Sequence, residues 1–242
     1  MQKLKKGLFY SKLRDIVMKM TDNLRVCVLA SGGGTDLQSI IDASEKNMID
    51  AEVVLVISDC KDAFCLKRAK KHKISCFFIN PQSTTKKKHE LEINKKIIEH
   101  NVDLVVCAGY MRILSNEFVK KWNGRLINIH PALLPSFKGA NGQGDALDYG
   151  VKISGCTTHF MDEHVDHGPI ILQAAVKVMP NDNRDKLAKR VLDIEHQILP
   201  RTVQLFAENR LKIKGRKVEI KKGDSWKDKY NIFPDVLYSE GY

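Results

Sequence analysis

Asn128 and His130 close the apolar run Leu126-Ile127-Asn128-Ile129-His130, which Pro131 and Pro135 then bring to a stop. Such a run predicts a buried strand, and residues two apart on a strand point to the same side. Further along, the polar stretch Asp162-Glu163-His164-Val165-Asp166-His167-Gly168-Pro169 offers a carboxylate, Asp166, to lie beside them. An amide, a titratable ring and a carboxylate suit acyl transfer better than redox or phosphoryl chemistry. N–H donors meet the oxygen that becomes negative, while ring and carboxylate manage the proton. Asp166 beside His130 would also orient the ring and favour its charged form. Each residue alone has an ordinary use as a turn Asn, a core His or a loop Asp. The ordered set carries the expectation.

A second feature is Ser31-Gly32-Gly33-Gly34-Thr35, between a strand-like run and a helix-like one. Free N–H groups at a helix start attract anions. The loop is not G-x-G-x-x-G, and no Gly-Lys-Ser/Thr follows, so neither a dinucleotide fingerprint nor a P-loop is supported. On its own it is either a phosphate cradle or a tight turn. His159, His164 and His167 invite a metal reading, but zinc wants three or four rigidly held ligands. Two of these histidines sit in a polar loop and no cysteine pair is nearby, so surface or supporting roles are expected and no metal.

The elements that must position these groups alternate. Strand-like runs at 24–30, 52–57, 74–79, 103–107 and 125–129 are separated by amphipathic segments at about 36–47, 62–72, 87–100 and 115–121. This predicts an α/β fold, a mostly parallel twisted sheet with helices on both faces, whose ligands sit at the carboxyl ends of the strands. Two β-rich runs, 152–160 and 170–178, suggest an antiparallel extension near the C-terminal part. A long helix follows over about 184–209, with Leu187, Val191, Ile194, Ile198 and Leu205 as its apolar stripe. The tail after 211 is polar, with strand-like pieces at 211–213 and 216–220. The expected parts are a basic extension (1–22), one domain (23–210) and a C-terminal tail (211–242).

A chain of 242 residues can bury a full core. Its net charge of +11 is unevenly spread. Residues 1–22 hold six Lys/Arg against two Asp, and residues 211–242 hold eight against five acids, leaving only +4 for 23–210. A nucleic-acid face is therefore not expected, while a mildly basic body suits anionic small molecules. The six cysteines show no close metal-ligand pair and read as free thiols of a reducing compartment. No apolar run approaches the roughly eighteen residues of a membrane span. Residues 1–22 lack a secretory-type apolar stretch. Met20 stands just before the first strand, so residues 1–19 are expected to be dispensable.

Four blocks resemble the folate-dependent formyltransferases: Val28–Gln38, Ala108–Leu114, Asn128-Ile129-His130-Pro131-Ala132-Leu133-Leu134-Pro135, and Asp166-His167-Gly168-Pro169-Ile170. The likeness runs from about Arg25 to Leu211. It implies a Rossmann-like formyltransferase fold in a cytoplasmic enzyme, monomer or homodimer. The implied reaction moves a formyl group from the co-substrate 10-formyltetrahydrofolate to the amine of glycinamide ribonucleotide, in purine synthesis. Asn128, His130 and Asp166 match the catalytic trio. Gly34, Thr35 and Asp36 match positions that hold the phosphate, Lys86 a basic residue reaching over to it, and Glu195 a contact to the sugar. Tyr110, Met111, Arg112, Ile113 and Leu114 match one wall of the pterin site, and Asp162, Glu163, His164 and Val165 the other. Core packing competes for Ile113 and Leu114. Other readings are a formyltetrahydrofolate deformylase, whose kind usually carries a second His where this chain has Pro131, and a non-catalytic binder of folate or sugar phosphate. The sequence departs from the family pattern at Asp36, usually Asn. That carboxylate would either oppose the phosphate or turn away to cap the helix. It departs again at 140–145, where extra glycines predict a looser segment.

Overall fold

In the computed structural model, residues 23–223, Phe233 and Asp235–Gly241 are described. The expected extension 1–22, with its alternative start at Met20, lies outside them. The chain runs β1 (Leu24–Leu29), α1 (Thr35–Glu45), β2 (Ala51–Ser58), α2 (Phe64–Lys71), β3 (Ser75–Phe78), α3 (Lys86–Glu99), β4 (Leu104–Cys107), α4 (Asn116–Lys121) and β5 (Leu126–His130). It continues with α5 (Gly142–Tyr149), β6 (Ile153–Phe160), β7 (Ile170–Lys177), α6 (Arg184–Ala207), β8 (Leu211–Lys214), β9 (Lys217–Ile220) and β10 (Leu237–Tyr238). One sheet takes the order β3-β2-β1-β4-β5-β6-β7-β9-β8, with β10 on β7. The strands β1 to β5 are parallel, and β6 is antiparallel to both β5 and β7. The mixed sheet is the one the alternation and the two later β-rich runs predict.

The period of the central strand divides the core. Val26 and Val28 of β1 face one side, where Leu37 and Ile40 of α1 pack with Leu187 and Val191 of α6. Cys27 and Leu29 face the other, against Ile93 and Ile97 of α3 and Phe118 of α4. Successive strand residues point to opposite faces, so a strand that is apolar throughout must be covered twice. Each fully buried Leu, Ile or Val contributes about 1.5–3 kcal/mol. Among the described residues no helix is long and apolar enough to cross a membrane.

The strand order reverses beside β1: β2 and β3 lie to one side, β4 and β5 to the other. Crevices open at the carboxyl ends of strands where this happens. The glycine loop follows β1 and the 108–114 stretch follows β4, so both meet there. Ser31 N–H donates to Gly109 O (3.0 Å), and Met111 N–H donates to Ser31 Oγ (2.8 Å).

Residues 140–145 differ from expectation. The looser segment is instead the start of a helix, α5, anchored by the fully buried Ala146 and ended by Gly150 at φ 82°. Asn141 Nδ2 donates to Asp145 Oδ1 at 2.7 Å. Gly142 permits close packing rather than looseness. A Cβ there would sit 3.2 Å from Phe137 O and 3.3 Å from Ala132 Cβ.

Beyond 211, β8 and β9 form a hairpin whose Lys217 pairs with Ile170 of β7. At the other end Leu237 and Tyr238 pair antiparallel with Ala175 and Ala174. Gly241 O accepts from Arg201 Nε at 3.0 Å, and Arg201 is only 2 % exposed. Deleting residues 236–242 removes that acceptor from a buried guanidinium. The deletion is expected to cost about 2 kcal/mol, or roughly 4–8 °C in Tm. An unchanged melting curve would show that this segment adds nothing to the fold.

Candidate active site

His130 is the last residue of β5, and both its ring nitrogens are accounted for. Nε2 donates to Phe137 O at 2.8 Å. A carbonyl only accepts, so this nitrogen keeps its proton. Nδ1 is then the nitrogen that can gain or lose one, and it lies 3.4 Å from Asp166 Oδ2. The side chains are 4 % and 11 % exposed, so the pair acts where water screens little. Two loop residues at positive φ build this contact, Phe137 (51°) and Asp166 (46°). Left-handed backbone at a non-glycine residue costs energy and gathers at functional sites. Gly139 N–H donates to the same carboxylate oxygen at 2.9 Å and holds the loop in place.

Asn128 sits two residues back on the same strand. Its Nδ2 is 3.3 Å from Asp166 Oδ1 and 3.2 Å from His159 Nε2. The structure therefore brings Asn128, His130 and Asp166 together, as expected, and adds His159. Antiparallel pairing sets Asn128 opposite His159 and His130 opposite Thr157. His159 is 1 % exposed, and its Nδ1 lies 2.9 Å from Phe160 O, so that nitrogen carries the proton. Burial pushes its pKa below the ordinary range. The neutral ring presents a lone pair at Nε2 that accepts from the Asn128 amide and fixes which way the amide points. Sequence reasoning put His159 in a strand, apart from the two loop histidines, with a surface or supporting role and no named partner. The β5–β6 register is the signal that separates it.

The glycine loop takes its shape from α2. Gly32 O accepts from Cys65 N–H (3.0 Å) and Gly33 O from Arg68 Nε (2.8 Å). In a planar trans peptide the following N–H points the opposite way, so the Gly33 and Gly34 N–H groups are directed away from α2. Gly34 is at φ 67°, and a Cβ on it would lie 2.6 Å from Cys65 Cβ. Thr35 opens α1. Lys86 opens α3 as an exposed residue and makes no hydrogen bond or ion pair among the described residues. The cation that touches the loop is Arg68, which sequence reasoning missed.

Asp36 does not cap the helix. The N-cap of α1 is Gly34, with no side-chain cap bond. The Asp36 carboxyl turns inward toward α6, where Oδ1 lies 3.8 Å from His196 Nε2. Both atoms are buried without a hydrogen-bond partner. Burial raises the Asp36 pKa to about 7. Glu195, 6 % exposed, is pushed up by burial and by Asp36.

At the end of β4, Met111 (68 % exposed) and Ile113 (70 %) present bare apolar side chains, and Arg112 is exposed. Tyr110 and Leu114 instead pack into the core beside α3 and α4, so Leu114 follows its core expectation. In the facing loop Val165 is also bare (48 %), while Glu163 pairs with Lys120 at 2.9 Å. Asp162, His164 and His167 bring ligand atoms within 4.8 Å of one another. The Arg216 guanidinium lies 3.3 Å from His167 Nδ1 and 3.8 Å from Asp162 Oδ2, where a cation would sit. His159 is not part of that group.

The amide and imidazole with their loop carboxylate, the glycine loop, and the exposed side chains of Met111 and Ile113 follow the carboxyl ends of β5, β1 and β4, three neighbouring parallel strands. The chain belongs to the formyl transferase family, whose pattern matches residues 24–203. Among relatives, phosphoribosylglycinamide formyltransferase of Haemophilus influenzae is 40 % identical over 197 residues, covering 78 % of this chain and 90 % of its own. The crystal structure of glycinamide ribonucleotide transformylase 1 from Symbiobacterium toebii superposes with a TM-score of 0.81 at 42 % identity, over 83 % of this chain and 95 % of the other. The trifunctional purine biosynthetic protein adenosine-3 of Gallus gallus is 41 % identical over 194 residues, and the chain spans 19 % of its length.

His159→Ala frees one side of the Asn128 amide and opens a void beside it. Turnover is expected to fall on the order of ten- to a hundredfold through misplacement of Asn128, measured at saturating substrate. Unchanged turnover would mean that His159 is only core.

Proposed function

We propose that this chain transfers the formyl group of 10-formyltetrahydrofolate to the amine of glycinamide ribonucleotide, in de novo purine biosynthesis. Asn128, His130 and Asp166 are the catalytic residues. The observation that carries the reading is the His130 Nδ1 atom, which faces Asp166 while Nε2 is held by Phe137 O. The substrate amine attacks the formyl carbon, and the C=O electron pair moves onto oxygen. His130, through Nδ1–H, and Asn128, through the amide N–H that lies toward Asp166 in the free site, turn from the carboxylate to donate hydrogen bonds to that oxygen. One such donor is worth about 10²–10³ in rate, roughly 3–4 kcal/mol. Asp166 accepts the proton lost by the attacking nitrogen, directly or through water. That proton reaches N10 of the folate as the C–N10 bond breaks, leaving a formamide and tetrahydrofolate.

Gly34, Thr35, Asp36 and Glu195 form the ribonucleotide side, with the loop N–H groups on the phosphate. Arg68 shapes this side from behind, and Lys86, at the start of α3, is the basic residue assigned to the phosphate. Met111, Arg112 and Ile113 supply one wall of the pterin site, backed by Tyr110 and Leu114 in the core, with Asp162, Glu163, His164 and Val165 as the other wall. The bare side chains of Met111, Ile113 and Val165 support this, since grouped exposed apolar side chains mark binding surfaces. The folate donor is a co-substrate and no step needs a metal. The working partners are small molecules, and the chain acts in the cytoplasm as a monomer or homodimer.

His130→Ala and Asp166→Asn are each expected to lower turnover by about two orders of magnitude or more. Ribonucleotide binding should persist, since both residues lie at the reacting carbon. The double variant should be far less than multiplicatively worse, because the pair acts as a unit. Near-native turnover in either single variant would contradict the assignment.

A further inference from the structure

The loop between β6 and β7 carries a second group of donor side chains beside the catalytic carboxylate. Asp162, His164 and His167 each offer one ligand atom, and the three atoms lie within 4.8 Å of one another. His167 Nδ1 is 2.7 Å from Asp162 Oδ2. The two imidazole rings meet edge to face, with centroids 5.1 Å apart. The carboxylate is already aimed: its Oδ1 accepts from the His164 backbone N–H at 3.0 Å, while Oδ2 faces His167. Sequence reasoning weighed the loop histidines with His159 and expected no metal. The fold leaves His159 out and brings in Asp162.

A positive charge already stands against this group. Arg216 lies at the turn of the β8–β9 hairpin, beyond the residues that match the family pattern. Its guanidinium is 3.8 Å from Asp162 Oδ2 and 3.3 Å from His167 Nδ1. The Arg216 side chain is half-exposed and makes no other ion pair among the described residues, so it is free to swing out. Glu163, the other acid of the loop, is engaged by Lys120 at 2.9 Å and is not a fourth donor.

Two imidazoles and one carboxylate suit zinc and similar borderline ions, whereas magnesium and calcium want oxygen donors. Zinc bonds of about 2.0–2.2 Å set tetrahedral ligand atoms about 3.3–3.6 Å apart. The separations here run from 2.7 Å up to 4.8 Å and bracket that spacing. His164 is exposed and Asp162 and His167 are partly so, which leaves these side chains room to shift by the difference. Water completes the tetrahedron. We propose that Asp162, His164 and His167 form a zinc site, that zinc displaces the Arg216 guanidinium from it, and that zinc and the folate donor exclude each other. The exclusion rests on the proposed pterin wall, to which Asp162 and His164 belong: a bound ion ties both to His167 and withdraws them from that wall. The ion takes no part in the transfer.

Calorimetric titration of the full, metal-free chain with zinc chloride reads the stoichiometry and Kd. His164→Ala and His167→Ala should each weaken binding more than tenfold, since even changes behind the ligands cost about 10–100-fold. Cys60→Ser, which removes the exposed thiol, should bind as the native chain does. Arg216→Ala should tighten binding, because no guanidinium has to be displaced. A native chain that binds no zinc, or an unchanged Kd in both histidine variants, overturns the site. Unchanged or weaker binding in Arg216→Ala overturns the displacement. Cobalt(II) on the native chain gives a reading that needs no variant. It should show the visible bands of a four- or five-coordinate ion without a thiolate charge-transfer band, and a thiolate band overturns the site.

During turnover, zinc at a few times its Kd should raise the KM for 10-formyltetrahydrofolate severalfold and leave kcat unchanged. His167→Ala should lose that sensitivity. An equal zinc effect in His167→Ala, or a fall in kcat at constant KM, overturns the exclusion. Zinc that binds at the three ligands yet leaves this KM unchanged also overturns it, and faults the pterin wall rather than the metal site. Calorimetry needs no turnover, so a failure of the proposed reaction is told apart from a failure of the site.

Discussion

The whole site depends on holding one carboxylate against one imidazole, with the two carried by different segments. Asp166 lies on the loop between β6 and β7, and His130 at the end of β5. Neither reaches the other unless β6 runs antiparallel to β5 in its observed register. That register also delivers His159 to Asn128. The loop must then bend back sharply, and it does so through left-handed backbone at Asp166, held by Gly139 N–H. Gly168 is part of the same constraint. A Cβ there would fall 1.7 Å from Phe160 O. A one-residue slip of β6 would turn His159 to the other face and carry the loop away.

The second constraint joins the two halves of the proposed reaction. The glycine loop and the 108–114 stretch belong to strands on either side of the point where the sheet order reverses, and Ser31 bonds to both Gly109 and Met111. A ligand on the loop and another against Met111 and Ile113 are thus positioned by one rigid connection rather than by two independent loops. Placing two reactants in this way supplies a large part of the rate of a bimolecular transfer. The price is backbone strain and bare apolar surface, both concentrated at this edge.

Much of this was legible in the chain itself. Among the described residues the apolar and β-rich runs placed β1 to β7, because most buried strands are short Val/Ile/Leu-rich runs bounded by turns, and β8 and β9 showed as strand-like pieces of the polar tail. Asn128, His130 and Asp166 were legible as a set because chemistry constrains their types and order. The 140–145 stretch was misread because glycine signals both looseness and close approach, and only the position of Phe137 O decides between them. Strand β10 is two residues long and has no period to detect. Arg68 was invisible for a different reason: an Arg on an amphipathic helix looks like any solvated cation until the loop is folded onto it. The fate of Asp36 likewise turns on α6, more than a hundred residues away in the chain, which no local pattern reports.

The central claim is that the proposed site moves a formyl group to an amine rather than to water. The most direct measurement follows a carbon label from the formyl group of 10-formyltetrahydrofolate, with the purified chain and glycinamide ribonucleotide present. The account predicts that the label appears in formylglycinamide ribonucleotide in step with tetrahydrofolate, with free formate at background. Label released as formate at the same rate with or without the ribonucleotide would contradict it.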